Sequence, residues 1–219
     1  MMVMGELILL RHGQTEWSVS GRHTGRTDVP LTPAGKAGAA DLAPVIAARL
    51  AAGRLIAAVF SSPASRALQT AELAGLESAM KTDPDLWEWD YGGYEGLTTA
   101  QIREQRPGWY LWRDGVIPGD AGHPGESVEQ VGARADRVLA RATGLLPSGD
   151  VVLVAHGHML RVLTARYLGL QAAAGRLFRL DTGTLSTLGV EHDEPVMLTW
   201  NVAPADEPAP GPCDPQESS

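Results

Sequence analysis

The chain has 219 residues, 44% of them hydrophobic and 20% charged, with a formal net charge of −8. That length supports one well-cored α/β domain, the composition is that of a folded protein, and the acidic balance argues against a general nucleic-acid or anionic-membrane binder. A single cysteine, Cys213, excludes an internal disulfide framework and any cysteine-rich metal site.

Half of the charge excess belongs to residues 203–219, which carry Asp206, Glu207, Asp214 and Glu217, no lysine or arginine, and five prolines. This stretch reads as a disordered acidic tail, so the expected organisation is a single domain over 1–202 followed by that tail. No apolar run approaches bilayer length, and the N-terminal apolar stretch is too short for a signal-peptide core. The expectation is a cytoplasmic protein without a membrane partner.

Leu7-Ile8-Leu9-Leu10 is a run of four apolar residues, the pattern of a strand buried on both faces of a parallel sheet, and it stops at Arg11-His12-Gly13. A polar, glycine-punctuated loop is expected over Ser18–Pro30. Thr32 then offers an N-cap with Pro33 at the first helical position, and an alanine-rich helix follows to about Leu50, broken near Pro44. Leu55–Phe60 reads as a second strand. Ser62 and Pro63 repeat the cap-plus-proline signal for a helix through Arg66, Thr70 and Leu73, closed by Gly75.

Residues 84–125 differ. They hold Trp87, Trp89, Trp109 and Trp112 with several glycines and no long period, which reads as an excursion over the strand ends, forming a lid, a substrate rim or a packed aromatic cluster. Regularity resumes at Ser127, whose pairing with Gln130 makes a capping box; Val128, Val131, Ala135, Val138, Ala142 and Leu145 keep helical spacing. Val151–Ala155 is another buried strand and ends in His156-Gly157, followed by a helix through Arg161 to Leu168. Runs at Leu185–Val190 and Val196–Trp200 complete the expected sheet.

Two hydrophobic strands thus end in His-Gly, and a third strand-to-helix junction supplies Arg66. Open α/β sheets bind ligands at the carboxyl ends of their strands, and helix N-termini there favour anions. Two histidines with Arg11 and Arg66, in an otherwise acidic chain, describe a small cationic pocket that suits a phosphoryl group.

At this point a family resemblance carries the reading further. Arg11-His12-Gly13-Gln14-Thr15-Glu16-Trp17 resembles the signature of the histidine phosphatase superfamily in its phosphoglycerate-mutase-like branch. The match continues, in the family's order, through Leu31–Gly35, Ser61-Ser62-Pro63 with Arg66 and Gln69-Thr70-Ala71, Glu88 within Leu86–Gly92, Gly125-Glu126-Ser127 and Ala155-His156-Gly157. More narrowly, Glu88–Gly92 and His156-Gly157-His158 are similar to actinobacterial acid phosphatases, and Arg11–Trp17 with Thr24-Gly25 resembles fungal sugar-bisphosphate phosphatases.

The resemblance implies a three-layer α/β/α sandwich with a mostly parallel central sheet, and hydrolysis of small phosphomonoesters through a phosphohistidine on His12. It implies that Arg11, Arg66 and His156 hold the non-bridging oxygens while Glu88 protonates the leaving alcohol and then activates water. Trp87 and Trp89 flanking Glu88 would desolvate it. Neither a cofactor nor a metal is implied. Gln14, Thr24 and Gly25 match loop positions that touch phosphate or leaving group, and Ser18, Gly157 and His158 join them as binding candidates. Ser18 and His158 stand where asparagine is usual in the family, although a serine occurs at the position of Ser18 in the phosphatases resembled. For His158 a structural role stays open, and His23, His123 and His192 read as surface or rim. Arg103, Arg106 and Arg113 read as a solvated face. The expected partner is a small phosphorylated substrate, with a homodimer as the assembly. The alternatives are a sugar-bisphosphate phosphatase, a cofactor-dependent phosphoglycerate mutase and a catalytically silent phosphate-binding scaffold. The scaffold sits poorly with the presence of His12, Arg66 and Glu88 together, and the mutase with the absence of lysine or paired arginines from 84–125.

Overall fold

The computed structural model describes residues 4–206, and its centre is a six-stranded sheet in the order β3-β2-β4-β1-β5-β6. The strands are Leu7–Arg11 (β1), Ile56–Ser61 (β2), Met80–Thr82 (β3), Asp150–Ala155 (β4), Leu185–Glu191 (β5) and Glu194–Val202 (β6). The first four are mutually parallel, whereas β5 runs antiparallel to β1 and β6 antiparallel to β5. Strands β1 and β4 pair without a shift, from Leu7 opposite Val151 to Arg11 opposite Ala155, so both His-Gly pairs emerge at one level.

Alternation along these strands sends side chains to two separate cores. Leu7, Leu9, Val151 and Leu153 join the helices Val128–Thr143 (α7) and Gly157–Tyr167 (α8) on one face. Ile8, Leu10, Val152 and Val154 meet Leu42, Ile46, Ala67 and Ala71 on the other. The result is the three-layer sandwich, mostly parallel at its centre. Each fully buried aliphatic side chain contributes about 1.5–3 kcal/mol, which is why four consecutive apolar residues are required at β1.

Several boundaries differ from the sequence reading, each for a local reason. Glu16–Ser20 forms a short helix (α1) that runs into the start of the region expected to be loop, because Thr15 and Ser18 close a capping box at its start. The alanine-rich stretch breaks at Asp41 into Pro33–Ala40 (α2) and Leu42–Ala51 (α3), leaving Pro44 in the first turn of α3, where a missing N–H costs nothing. The next helix, Ser65–Leu73 (α4), starts after Ala64, so Ser62 and Pro63 precede it. Helix α8 spans Gly157–Tyr167, with His156 alone between it and β4. Strand β3 gave no sequence signal, having three residues at an edge. In 84–125 two short helices occur, Thr99–Gln105 (α5) and Leu111–Asp114 (α6). Trp89, Trp109 and Trp112 are buried in the core beneath the strand ends, and only Trp87 is part-exposed. Most of the tail and Cys213 lie outside the described residues. Among the described residues, no helix is long and apolar enough to cross a membrane.

Candidate active site

His12 leaves β1 under tight control. Its N–H donates to the Ala155 carbonyl at 2.9 Å, and its Nδ1 donates to its neighbour's carbonyl at Gly13, 2.7 Å away. That bond places the ring proton on Nδ1 and leaves Nε2 with its lone pair toward the cleft. Gly13 is obligatory for spacing: a Cβ there would lie 2.3 Å from the Gly35 carbonyl oxygen of α2. Its N–H is held by Thr70 Oγ1, which itself donates to the Arg66 carbonyl, so α4 clamps the loop that carries His12.

The two arginines reach this point from different elements. Arg11, at the end of β1, donates through Nη1 to the Leu180 carbonyl, and its Nε is buried with no protein partner. Its guanidinium lies against Gly157, where a Cβ would come within 3.2 Å of Cζ. Arg66 is fully buried in the first turn of α4 and donates to the carbonyls of Thr27 (2.9 Å), Gly25 (3.0 Å) and Thr24 (3.5 Å). Its Nε donates to His156 Nδ1 at 3.3 Å, which puts the His156 proton on Nε2, facing Ser62 Oγ at 2.7 Å. The His12 and His156 rings meet edge to face, centroids 5.1 Å apart.

Burial, reinforced by Arg66 and Arg11, holds His12 well below the usual imidazole value, and burial with the charge of Arg66 does the same to His156. The four-group cationic pocket read from sequence is therefore, in the ligand-free chain, two guanidiniums and two neutral imidazoles. A neutral imidazole is the nucleophilic form.

Glu88 faces them from the excursion. Its carboxylate accepts backbone N–H groups from Trp89 (2.9 Å), His158 (3.0 Å) and Met159 (2.8 Å), the last two at the N-terminus of α8, where free N–H groups and the helix dipole favour an anion. His158 itself accepts or donates at Nδ1 to Tyr91 Oη, 2.6 Å away, and its pKa is lowered by burial, then by Arg161 and His23.

Arg11, His12, Glu88, Gly157 and His158 line a cleft of about 190 Å³ together with Ser18 and Thr24, whereas Arg66 and His156 are not among its lining residues. The other candidates sit differently. Ser18 spends its hydroxyl on the Thr15 N–H and carbonyl, and Thr24 donates to the Arg22 carbonyl. Gln14 accepts from Thr32 Oγ1 at 2.9 Å and borders an adjoining depression with Arg11 and Asp181, away from His12. Gly25 gives its N–H to the Glu95 carboxylate. None of the four tryptophans lines the cleft; its aromatic wall is Tyr91, His23 and His158, and Arg22 and Arg161 join Arg11 as its cations. Arg103 and Arg106 are instead tied within the excursion, to the Trp109 carbonyl and Tyr94 Oη, and Arg113 pairs with Asp114.

Sequence reading missed Ser62 as a partner of His156, taking it for a helix cap. The available signal was its place at the end of a third parallel strand, where Ser61 pairs with Val154. It also left His23 as a rim residue; burial pushes its pKa down to about 4, between Tyr91 and Trp109.

Four histidines held neutral have a consequence for stability. The unfolded chain protonates each near 6.5 while the folded chain resists, so the unfolded state binds more protons as pH falls through 6.5. Stability should then fall by up to about 1.4 kcal/mol per pH unit per group. The urea midpoint is expected to drop steadily from neutral pH to about 4, where His23 titrates in the folded chain; a flat midpoint over that window would contradict neutral burial.

The sequence model of the family described as histidine phosphatase superfamily (branch 1) matches residues 7–203. The chain is 45% identical over 186 residues to an acid phosphatase of Mycobacterium tuberculosis, covering 85% of this chain and 87% of that protein. It is 36% identical over 189 residues to a sedoheptulose 1,7-bisphosphatase of Saccharomyces cerevisiae, covering 74% of this chain and 67% of that protein. The structure of the product of an open reading frame of Mycobacterium tuberculosis superimposes with a TM-score of 0.82 at 40% identity, over 91% of this chain and 98% of that one.

Proposed function

Since the chain belongs to the histidine phosphatase superfamily, we propose that it is a phosphomonoesterase that works through a phosphohistidine on His12. One observation carries the reading: a neutral histidine with Nδ1 fixed on the Gly13 carbonyl and Nε2 toward the cleft, beside a guanidinium whose buried Nε lacks a protein partner. A phosphoryl oxygen supplies that partner. His12 Nε2 attacks phosphorus in line with the ester oxygen; the P–O bond breaks, and Glu88, protonated as the anionic ester binds beside it, delivers that proton to the departing alcohol. Arg11 and Arg66 stabilise the equatorial oxygens, and His156 joins them by exchanging its Ser62 hydrogen bond for one to phosphate. In the second step Glu88 takes a proton from water as the water attacks phosphorus; the P–Nε2 bond breaks, its electron pair returns to His12, and inorganic phosphate leaves.

This charge work falls to protein groups, so orthovanadate should inhibit and chelators should leave activity intact. Activity lost to a chelator and restored by one added metal would overturn that part of the reading. Arg22 and Arg161, which also line the cleft, favour a second reading, a sugar bisphosphate whose second phosphate they would meet. Phosphate release should be measured on aryl phosphates, phosphoglycerates and sugar mono- and bisphosphates, with phosphoglycerate isomerisation assayed alongside. Release from monoesters is expected; a strong preference for bisphosphates would select the second reading. Bisphosphoglycerate-stimulated isomerisation with negligible release would overturn both.

A further inference from the structure

Arg134 is a buried cation on the apolar stripe of α7, three residues after Val131, and it touches neither the cleft nor the phosphate side of the site. All five of its N–H donors are used. Nη1 donates to the carbonyls of Asp85 (2.7 Å) and Trp87 (2.8 Å), Nη2 to the carbonyl of Glu88 (3.3 Å) and to Glu126 Oε2 (2.8 Å), and Nε to Glu126 Oε1 (2.7 Å). Three of these bonds therefore fall on the backbone of the segment that carries Glu88.

Glu126 grips the same segment from its other side. Its Oε2 accepts the Asp90 N–H at 3.0 Å, its carbonyl accepts Trp89 Nε1 at 2.8 Å, and its own N–H donates to the Asp90 carbonyl at 3.0 Å. Residues 87–90 follow the 3-10 turn Pro84–Leu86 and belong to no helix or strand, and the N–H groups of Trp89 and Asp90 turn to the Glu88 and Glu126 carboxylates. Left alone, such a segment would not hold a carboxylate within the narrow geometry that proton transfer requires. We propose that Arg134 and Glu126 form a clamp whose task is to position Glu88 for proton delivery to the leaving group. Arg134 is thus a positioning residue, and the proposal rests on the phosphatase reading in which Glu88 is the acid.

A bidentate ion pair suits that task. A forked guanidinium fixes direction as well as distance, and a lysine could not reach three carbonyls and a carboxylate at once. Breaking it leaves the Asp85, Trp87 and Glu88 carbonyls without the Arg134 donors and lets the Glu88 carboxylate drift from the N-terminus of α8.

The test separates positioning from general structure by the leaving group. The quantity to compare is kcat/KM, which reports steps only through departure of the alcohol and so excludes the later activation of water. p-Nitrophenolate leaves without a proton; a simple alkoxide does not. Arg134→Met, Arg134→Lys and Glu126→Gln should be compared with Glu88→Gln on p-nitrophenyl phosphate and on an alkyl phosphate, with thermal midpoints recorded. General acid catalysis contributes about 10²–10⁴-fold, so Glu88→Gln should lose at least ~100-fold on the alkyl ester and far less on the aryl ester. The clamp variants should follow the same pattern at roughly a tenth of that size, with Arg134→Lys no better than Arg134→Met. If Arg134→Met does not fold, Glu126→Gln decides by the same comparison. Equal losses on both esters would make the clamp merely structural and overturn the proposal. Leaving-group dependence in Glu88→Gln without any in the clamp variants overturns the clamp alone, whereas its absence in Glu88→Gln removes the acid assignment and the clamp with it.

Discussion

His12→Ala should abolish turnover, with a loss on the order of 10⁴-fold or more, the scale seen when a covalent nucleophile is removed from a site that is otherwise intact. Brief mixing of the native chain with labelled substrate should yield a phosphoprotein that is labile to acid and stable to base, as expected of a phosphorus–nitrogen bond, and the variant should yield none. The argument is structural. Nδ1 is committed to the Gly13 carbonyl, the ring is kept neutral by burial and the neighbouring arginines, and Nε2 is the atom left to react. Because the ring's pKa is lowered, kcat/KM should not fall through loss of the nucleophile as pH drops below 6.5, unlike that of an enzyme with an exposed histidine. Full activity in His12→Ala, or a label that survives the substitution, would refute the assignment.

Arg11→Lys should cost about 10²–10³-fold in kcat/KM, comparable to losing a preorganised donor to a developing oxyanion. The substitution keeps the charge and removes the geometry. Arg11 holds the Leu180 carbonyl with one edge of its fork and keeps a second, unpartnered N–H on another, while its plane lies against Gly157. A lysine ends in a single point of charge and must choose between the carbonyl and the phosphate. Vanadate affinity should fall in parallel with kcat/KM, and the thermal midpoint should show that the chain still folds. A variant within threefold of the native rate would mean that Arg11 only balances charge.

How much of this was legible beforehand depended on how local each feature is. The β1 and β4 runs needed no tertiary information, since four or five consecutive buried aliphatics followed by His-Gly announce a buried strand and its end. The capping box at Ser127 was equally plain, because Ser127 and Gln130 satisfy one another within a single turn. The Ser62-Pro63 signal misled, because a serine before a proline carries the same pattern whether its hydroxyl caps a helix or meets a histidine ninety-four residues away. For the tryptophans, a lid, a rim and a packed cluster all fitted the same pattern. Their clustering in 84–125 was real, but which face they took depended on the core beneath, and it buried three of them and left Tyr91, His23 and His158 to line the cleft.

By itself the sequence determined the sheet's central strands, the two histidines at their ends, the cationic character of the site and, through ordered motifs, the family. Those are properties of short segments and of residue type. Only the tertiary structure decided what each group is free to do. The unshifted pairing of β1 with β4 put His12 and His156 edge to face, and burial made both neutral. The hydrogen bonds of Arg66 turned much of its fork toward the 24–27 loop, and the N-terminus of α8 received the Glu88 carboxylate. Arg134, on a helix face that looks merely apolar, became a fastening for the acid's backbone. Charge and hydrogen-bond partners come from groups far apart in the chain, and no periodicity records which of them will meet.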